Sequence, residues 1–231
     1  GAEHANVQPH SGASANLAAS RNGAPAAARQ PQEIRGVHAL VKWESPADEV
    51  RGIAAGAAVL LRDHAVLPHQ IGFAVPNRTW AVQLAQACKV MGVRASIAEA
   101  GEVPSGSAAV IFDFRTPERN VEWLFVVGCT EGLMPTAAAT GDDEASRAVQ
   151  QEQRAAFAHL VADDRPHVVL SYFAQADVAL ADQIRLPYRR TITRDGISLA
   201  CLTPTRFISE MGAARPTTVG SQRFLRDAGL N

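Results

Sequence analysis

Apolar positions along the chain keep two rhythms. Short runs such as VHALVKW (37–43), IGFAV (71–75), AAVIFDF (108–114), WLFVVGC (123–129) and HVVLSYF (167–173) are rich in Val, Ile, Leu and Phe. Runs of that length and composition read as strands buried on both faces. RASIAEA (94–100) reads as a further short strand. Between the strands lie stretches in which apolar residues recur every three or four positions. SPADEVRGIAAGAAVLLRDH places Ser45 as a helix N-cap, Pro46 at the first helical position and Asp48 in the first turn. RTWAVQLAQACKVMG keeps the same rhythm from Arg78, with Gly92 as its C-cap. DDEASRAVQQEQRAAFAHLVADD (142–164) predicts a long helix whose amino end is acidic, as the helix dipole favours. Strands alternating with amphipathic helices predict an α/β three-layer domain built on a mostly parallel sheet.

The rhythm fades at both ends. Residues 1–36 hold mainly Ala, Gly, Ser, Asn, Gln and Pro. Such a segment has too little apolar surface to offset its ordering entropy, so a flexible linker or tail is expected there. After about residue 180, YRRTITRDGISLACL reads as a hairpin or an edge strand, and TPTRFISEM predicts a short helix with Thr203 as N-cap and Pro204 at its first position. The expected organisation is a linker over 1–36, an α/β domain over 37–180 and an extension of the same domain over 181–231.

Composition narrows the function classes. The chain has 231 residues, 47% apolar, which suffices for one sizeable core. Net charge is −1, and all basic side chains but Lys42 and Lys89 are arginine, so charge alone neither announces nor excludes nucleic acid. Cys88, Cys129 and Cys201 stand far apart without a CxxC pair, which argues against a zinc site or a disulfide framework; no metal site is expected. No apolar run approaches the ~20 residues that cross a bilayer, so no membrane role and a cytoplasmic address are expected.

In a parallel sheet, ligands bind beyond the carboxyl ends of the strands. Three loops fall there: Pro76-Asn77-Arg78, Asp113-Phe114-Arg115 and Cys129-Thr130-Glu131-Gly132. The stretches around them, in order and spacing, resemble the second motor domain of superfamily 1 DNA helicases of the UvrD/Rep/PcrA and RecB/AddB type. IGFAVPNRTWAVQLAQACKVMGVRASI is similar to the fourth helicase motif, VEWLFVVGCTEGLMP to the end of the fifth motif with its following loop, and EQRAAFAHLVADDRPHVVLSY to the sixth. WESPADEVRGIAAGAAVLLRDH resembles the acidic helix ahead of the fourth motif, and TPTRFISEM a segment often found downstream. The resemblance spans roughly residues 37–212.

That resemblance implies a RecA-like fold and a parent that acts on DNA in repair or recombination, gripping single-stranded DNA. ATP and Mg would be bound through a missing N-terminal motor domain. By the same resemblance Arg78, Glu122 and Arg154 would face a nucleotide, while Arg115, Arg119, Thr130 and Glu131 would face DNA. The residues themselves leave alternatives open: Arg78 as an ion pair on the sheet's edge, Arg154 and Glu122 as solvated side chains, Arg115 and Arg119 as paired surface charges.

The departures from the family matter more than the matches. A phosphate-contacting Arg of the fourth motif is replaced by Leu84, and the arginine finger of the sixth falls on Ala162-Asp163-Asp164. An arginine finger supplies on the order of 10³ to 10⁵ in rate, and an Asp there would repel phosphate. No GxxxxGKS or GxxxxGKT occurs, nor any Gly-Lys pair, so the chain has no phosphate cradle of that kind and no catalytic residue is assigned. Two expectations result: a domain of a DNA helicase whose own motifs have eroded, or a catalytically inactive scaffold of AddB type. A stand-alone α/β ligand-binding domain is the reading from another class.

Overall fold

The computed structural model describes residues 37–98, 107–116, 121–136, 143–161 and 166–227. The expected linker over 1–36, Arg119 and the Ala162-Asp163-Asp164 position lie outside the described residues.

The continuous apolar runs become strands of one sheet. β1 (Val37–Trp43), β2 (Ile71–Val75), β3 (Ala95–Ile97), β4 (Ala109–Asp113), β5 (Trp123–Val126), β6 (His167–Phe173) and β10 (Thr217–Gly220) lie in the order β10-β1-β6-β5-β2-β4-β3. Every pairing in this sheet is parallel, with Val37 opposite His167, Ile71 opposite Trp123 and Gly72 opposite Val110. The expected α/β architecture with a parallel sheet is the one observed.

Successive side chains of a strand point to opposite faces, so each central strand feeds two cores. Phe73, Phe125, Val169 and Phe173 pack under α1 (Pro46–Asp63) and α2 (Arg78–Val90), together with Ile53, Ala57 and Leu84. Ala74, Leu124, Val126 and Leu170 face the other way, toward Phe157 and Leu160 of α3 (Glu144–Leu160) and Phe207 and Ile208 of α5 (Arg206–Glu210). The result is three layers, helix on sheet on helix.

Helix starts follow local chemistry. Ser45 caps α1, its hydroxyl accepting from the Asp48 N–H at 3.2 Å, with Pro46 following. Asn77 caps α2 by accepting from the Trp80 N–H at 3.2 Å. Gly92 adopts φ +75 just past α2 and lets the chain turn back toward β3.

Beyond β6 a second, three-stranded antiparallel sheet has the order β7-β9-β8, built from β7 (Gln175–Asp177), β8 (Thr191–Arg194) and β9 (Ile197–Cys201). The hairpin reading of this stretch is correct: Asp195 and Gly196 both take positive φ, as a tight Asp-Gly turn requires. α4 (Val178–Gln183) and α6 (Ser221–Asp227) complete the set. The expected cap of α5 needs correction. Thr205, not Thr203, accepts from the Phe207 N–H, because Pro204 is held extended in an antiparallel bridge to Thr130.

Candidate functional site

The carboxyl edge of the central strands is organised around one buried carboxylate. Glu49 sits in the first turn of α1 with no exposure at all. Its Oε1 accepts from the Ser171 hydroxyl of β6 at 2.6 Å and from the Gly128 N–H at 2.9 Å. Its Oε2 has no hydrogen-bond partner. The Trp80 indole N–H lies near enough to favour the charged form, yet no acceptor meets it in hydrogen-bond geometry. Burial dominates these contacts and pushes the Glu49 carboxyl up to about 7. Cys129, buried beside it, has its thiol pushed well up, first by burial and then by the neighbouring Glu49.

Gly128 is required where it stands. Its φ is +76, and a Cβ would come within 3.0 Å of the Pro76 ring and 3.4 Å of the Trp80 nitrogen. The loop that follows is sewn to β6 and to the segment after β9. The Cys129 N–H donates to the Ser171 carbonyl, the Glu131 N–H to the Thr203 carbonyl, and the Thr205 N–H to the Cys129 carbonyl. At Gly132, with φ +92, a Cβ would meet Pro187 at 2.5 Å, so the loop and the 186–190 segment approach each other closely.

These contacts frame an open cleft of about 650 Å³ between Glu131, the Pro187–Arg190 segment, Cys201–Pro204 and Arg206. Glu131 accepts from the Arg206 backbone N–H at 2.8 Å and from its Nε at 2.7 Å, and Nη2 also contacts the same carboxylate. The two guanidinium nitrogens meet Oε1 and the backbone N–H meets Oε2, which together fix Arg206 at the cleft's rim.

The residues singled out from the sequence separate in space. Arg78 opens α2, exposed, at the carboxyl end of β2. Arg115, past β4, is held by Asp113 through Nε at 2.8 Å and Nη2 at 2.6 Å, which raises its pKa. Thr130 is completely buried, so its expected contact with DNA is corrected: the side chain presents nothing to a strand passing the edge. Glu131 reaches the edge, but its carboxylate is committed to Arg206. Arg154, on α3, pairs with Glu210 of α5 at 2.8 Å and 3.1 Å.

Glu122 lies at the other end of the sheet. It precedes β5, at the amino edge, where its carboxylate accepts from Gln70 Nε2 at 2.5 Å and its N–H donates to the Gln70 carbonyl. Beside it Trp123 and His167 stack with centroids 3.9 Å apart. Burial, and secondarily His38, lower the His167 pKa against an opposing pull from Glu122. Glu122 therefore stands at the amino edge of the sheet and Arg78 at its carboxyl edge. Leu84, where the family has an Arg, is fully buried in the core.

Sequence reasoning missed Glu49 and the Arg189-Arg190 pair. An acidic residue in a helix's first turn reads as a dipole partner, and nothing local signals that Glu49 faces the sheet. The two arginines stood in plain view as YRR but carried no motif.

Among the described residues there is no group of His, Cys, Asp and Glu able to hold a metal ion, and no helix long and apolar enough to cross a membrane. No protein-family model matches the chain, and no curated protein matches it. A solved structure that resembles it is the S. cerevisiae Dbp5 C-terminal domain bound to Gle1 and IP6, at 12% identity and a TM-score of 0.44, covering 86% of this chain and 96% of that one. A likeness that weak establishes no family for this chain and brings none of that protein's chemistry to it.

Proposed function

We propose that this chain is the second, RecA-like domain of a superfamily 1 helicase-type protein acting on DNA in repair or recombination, and that it serves as a nucleic-acid-binding scaffold of AddB type rather than as half of a working motor. The support is the ordered succession of motif-like stretches on a parallel sheet. The observation that favours the scaffold over the motor is the dispersal of the nucleotide contacts. Leu84 is in the core, Arg154 is locked to Glu210 and Glu122 stands at the amino edge. A phosphoryl-transfer site needs its cationic groups converging on one phosphate. Any ATP and Mg used by a larger protein would be bound through a separate first motor domain.

The experiment that separates a helicase-type domain from a stand-alone ligand-binding domain is thermal unfolding of the 231-residue chain with and without ATP and Mg at millimolar concentration. A ligand that binds only the folded form raises the midpoint in proportion to its occupancy. The scaffold reading predicts no shift and no phosphate release. A saturable rise in the midpoint would instead identify a stand-alone ligand-binding domain.

A further inference from the structure

Several arginines of this protein are committed to carboxylates. Arg51 pairs with Asp48, Arg62 with Asp63, Arg115 with Asp113, Arg154 with Glu210 and Arg194 with Glu44. Arg189 and Arg190 form no ion pair among the described residues, and both line the cleft at the carboxyl edge. With Arg206 they set three guanidinium groups against the single carboxylate of Glu131.

The pair is held on an anchored segment. The Leu186 N–H donates to the Ala181 carbonyl, and Leu186 itself is buried. Pro187 is pressed against Gly132. The Tyr188 hydroxyl donates to Asp182 at 2.9 Å, and the Arg190 carbonyl accepts from the Cys201 N–H at 3.0 Å. Anchoring the backbone that carries the two arginines leaves less entropy to lose when an anion arrives.

We infer that the cleft between Arg189, Arg190 and Arg206 binds successive backbone phosphates of a single-stranded nucleic acid, with the half-buried Tyr188 ring as its base platform. The inference rests on the nucleic-acid reading above and names the subsite. An open cleft fits an extended polymer better than a compact ligand. An aromatic ring directly preceding two arginines is the combination that single-strand binders use, stacking for bases and cations for phosphates.

The test is fluorescence anisotropy of a labelled oligothymidylate of about 20 nucleotides, a length that spans one such groove. The intact chain, the double variant Arg189→Ala with Arg190→Ala, and a control with Arg51→Ala and Arg62→Ala on α1 are compared over a salt series. All four side chains are exposed, and unchanged melting curves verify folding. The cleft variant is expected to bind on the order of tenfold more weakly at low salt. Its slope of log affinity against log salt should shrink by about 1.4, two phosphate contacts' worth for single strands, while the control keeps the slope of the intact chain. Equal slopes for the cleft variant and the intact chain overturn the subsite but leave the nucleic-acid reading standing. No binding by the intact chain at low salt overturns both.

Discussion

Glu49 occupies the place in the first turn of α1 where an acidic residue ordinarily faces water and the helix dipole. Here it turns inward and joins α1 to β6 and to the loop after β5 through Ser171 and Gly128. Because its folded pKa is raised to about 7, the native state holds the proton more tightly than the unfolded chain does. Folding stability from this group is therefore fully present below about pH 4.5 and declines as pH rises to about 7, the total being about 3 kcal/mol. Glu49→Gln keeps an acceptor for Ser171 and Gly128 and removes the titration. Denaturant unfolding at pH 5 and pH 8 should show the variant gaining on the parent as pH rises. A pH-independent difference between the two would mean that the carboxyl stays ionised when buried. Leu84 makes the complementary point. Leu84→Arg, which restores the family's residue, is expected to destabilise by about 3 kcal/mol or more in urea titrations, because the position is a closed apolar core.

Elements rather than single residues decide how the loop after β5 is held. The Cys129–Gly132 turn bridges to the segment after β9 through two backbone hydrogen bonds, to β6 through a third, and touches Pro187 at Gly132. Gly132→Ala combines a positive φ with a contact that Pro187 must relieve by moving. We expect a loss of about 1–3 kcal/mol in thermal or chemical unfolding, together with weaker oligonucleotide binding, since the Arg189-Arg190 segment moves with Pro187. Loss of stability with unchanged binding would separate the loop from the cleft. The same elements show what pattern reading reaches. β2, β4, β5 and β6 were legible because burial on both faces leaves no polar alternation, and β1 through its apolar run despite exposed His38 and Lys42. β10 was not: it is an edge strand of largely exposed residues, Thr217, Thr218 and Gly220, with only Val219 packed against the core. The α5 cap was misplaced by two residues because the Pro204–Thr130 bridge joins positions far apart in sequence.

At the scale of the molecule, the sequence located the carboxyl edge of the sheet but not the arrangement on it. Loop positions follow from strand ends, so Arg78, Arg115 and Glu131 were placed at the carboxyl edge by reasoning alone. Whether a charge is free is set by partners from other elements, and Glu131 finds Arg206 while Arg154 finds Glu210. The cleft cations stayed hidden for the converse reason: Arg189 and Arg190 matter through what fails to pair with them. The central claim is that this domain holds single-stranded nucleic acid without help from a nucleotide. Its most direct measurement is the affinity of the 231-residue chain for a labelled oligothymidylate at low salt, with and without ATP and Mg. The account predicts saturable binding with the same dissociation constant in both conditions. Binding that appears only with ATP and Mg, or no binding in either, would contradict it.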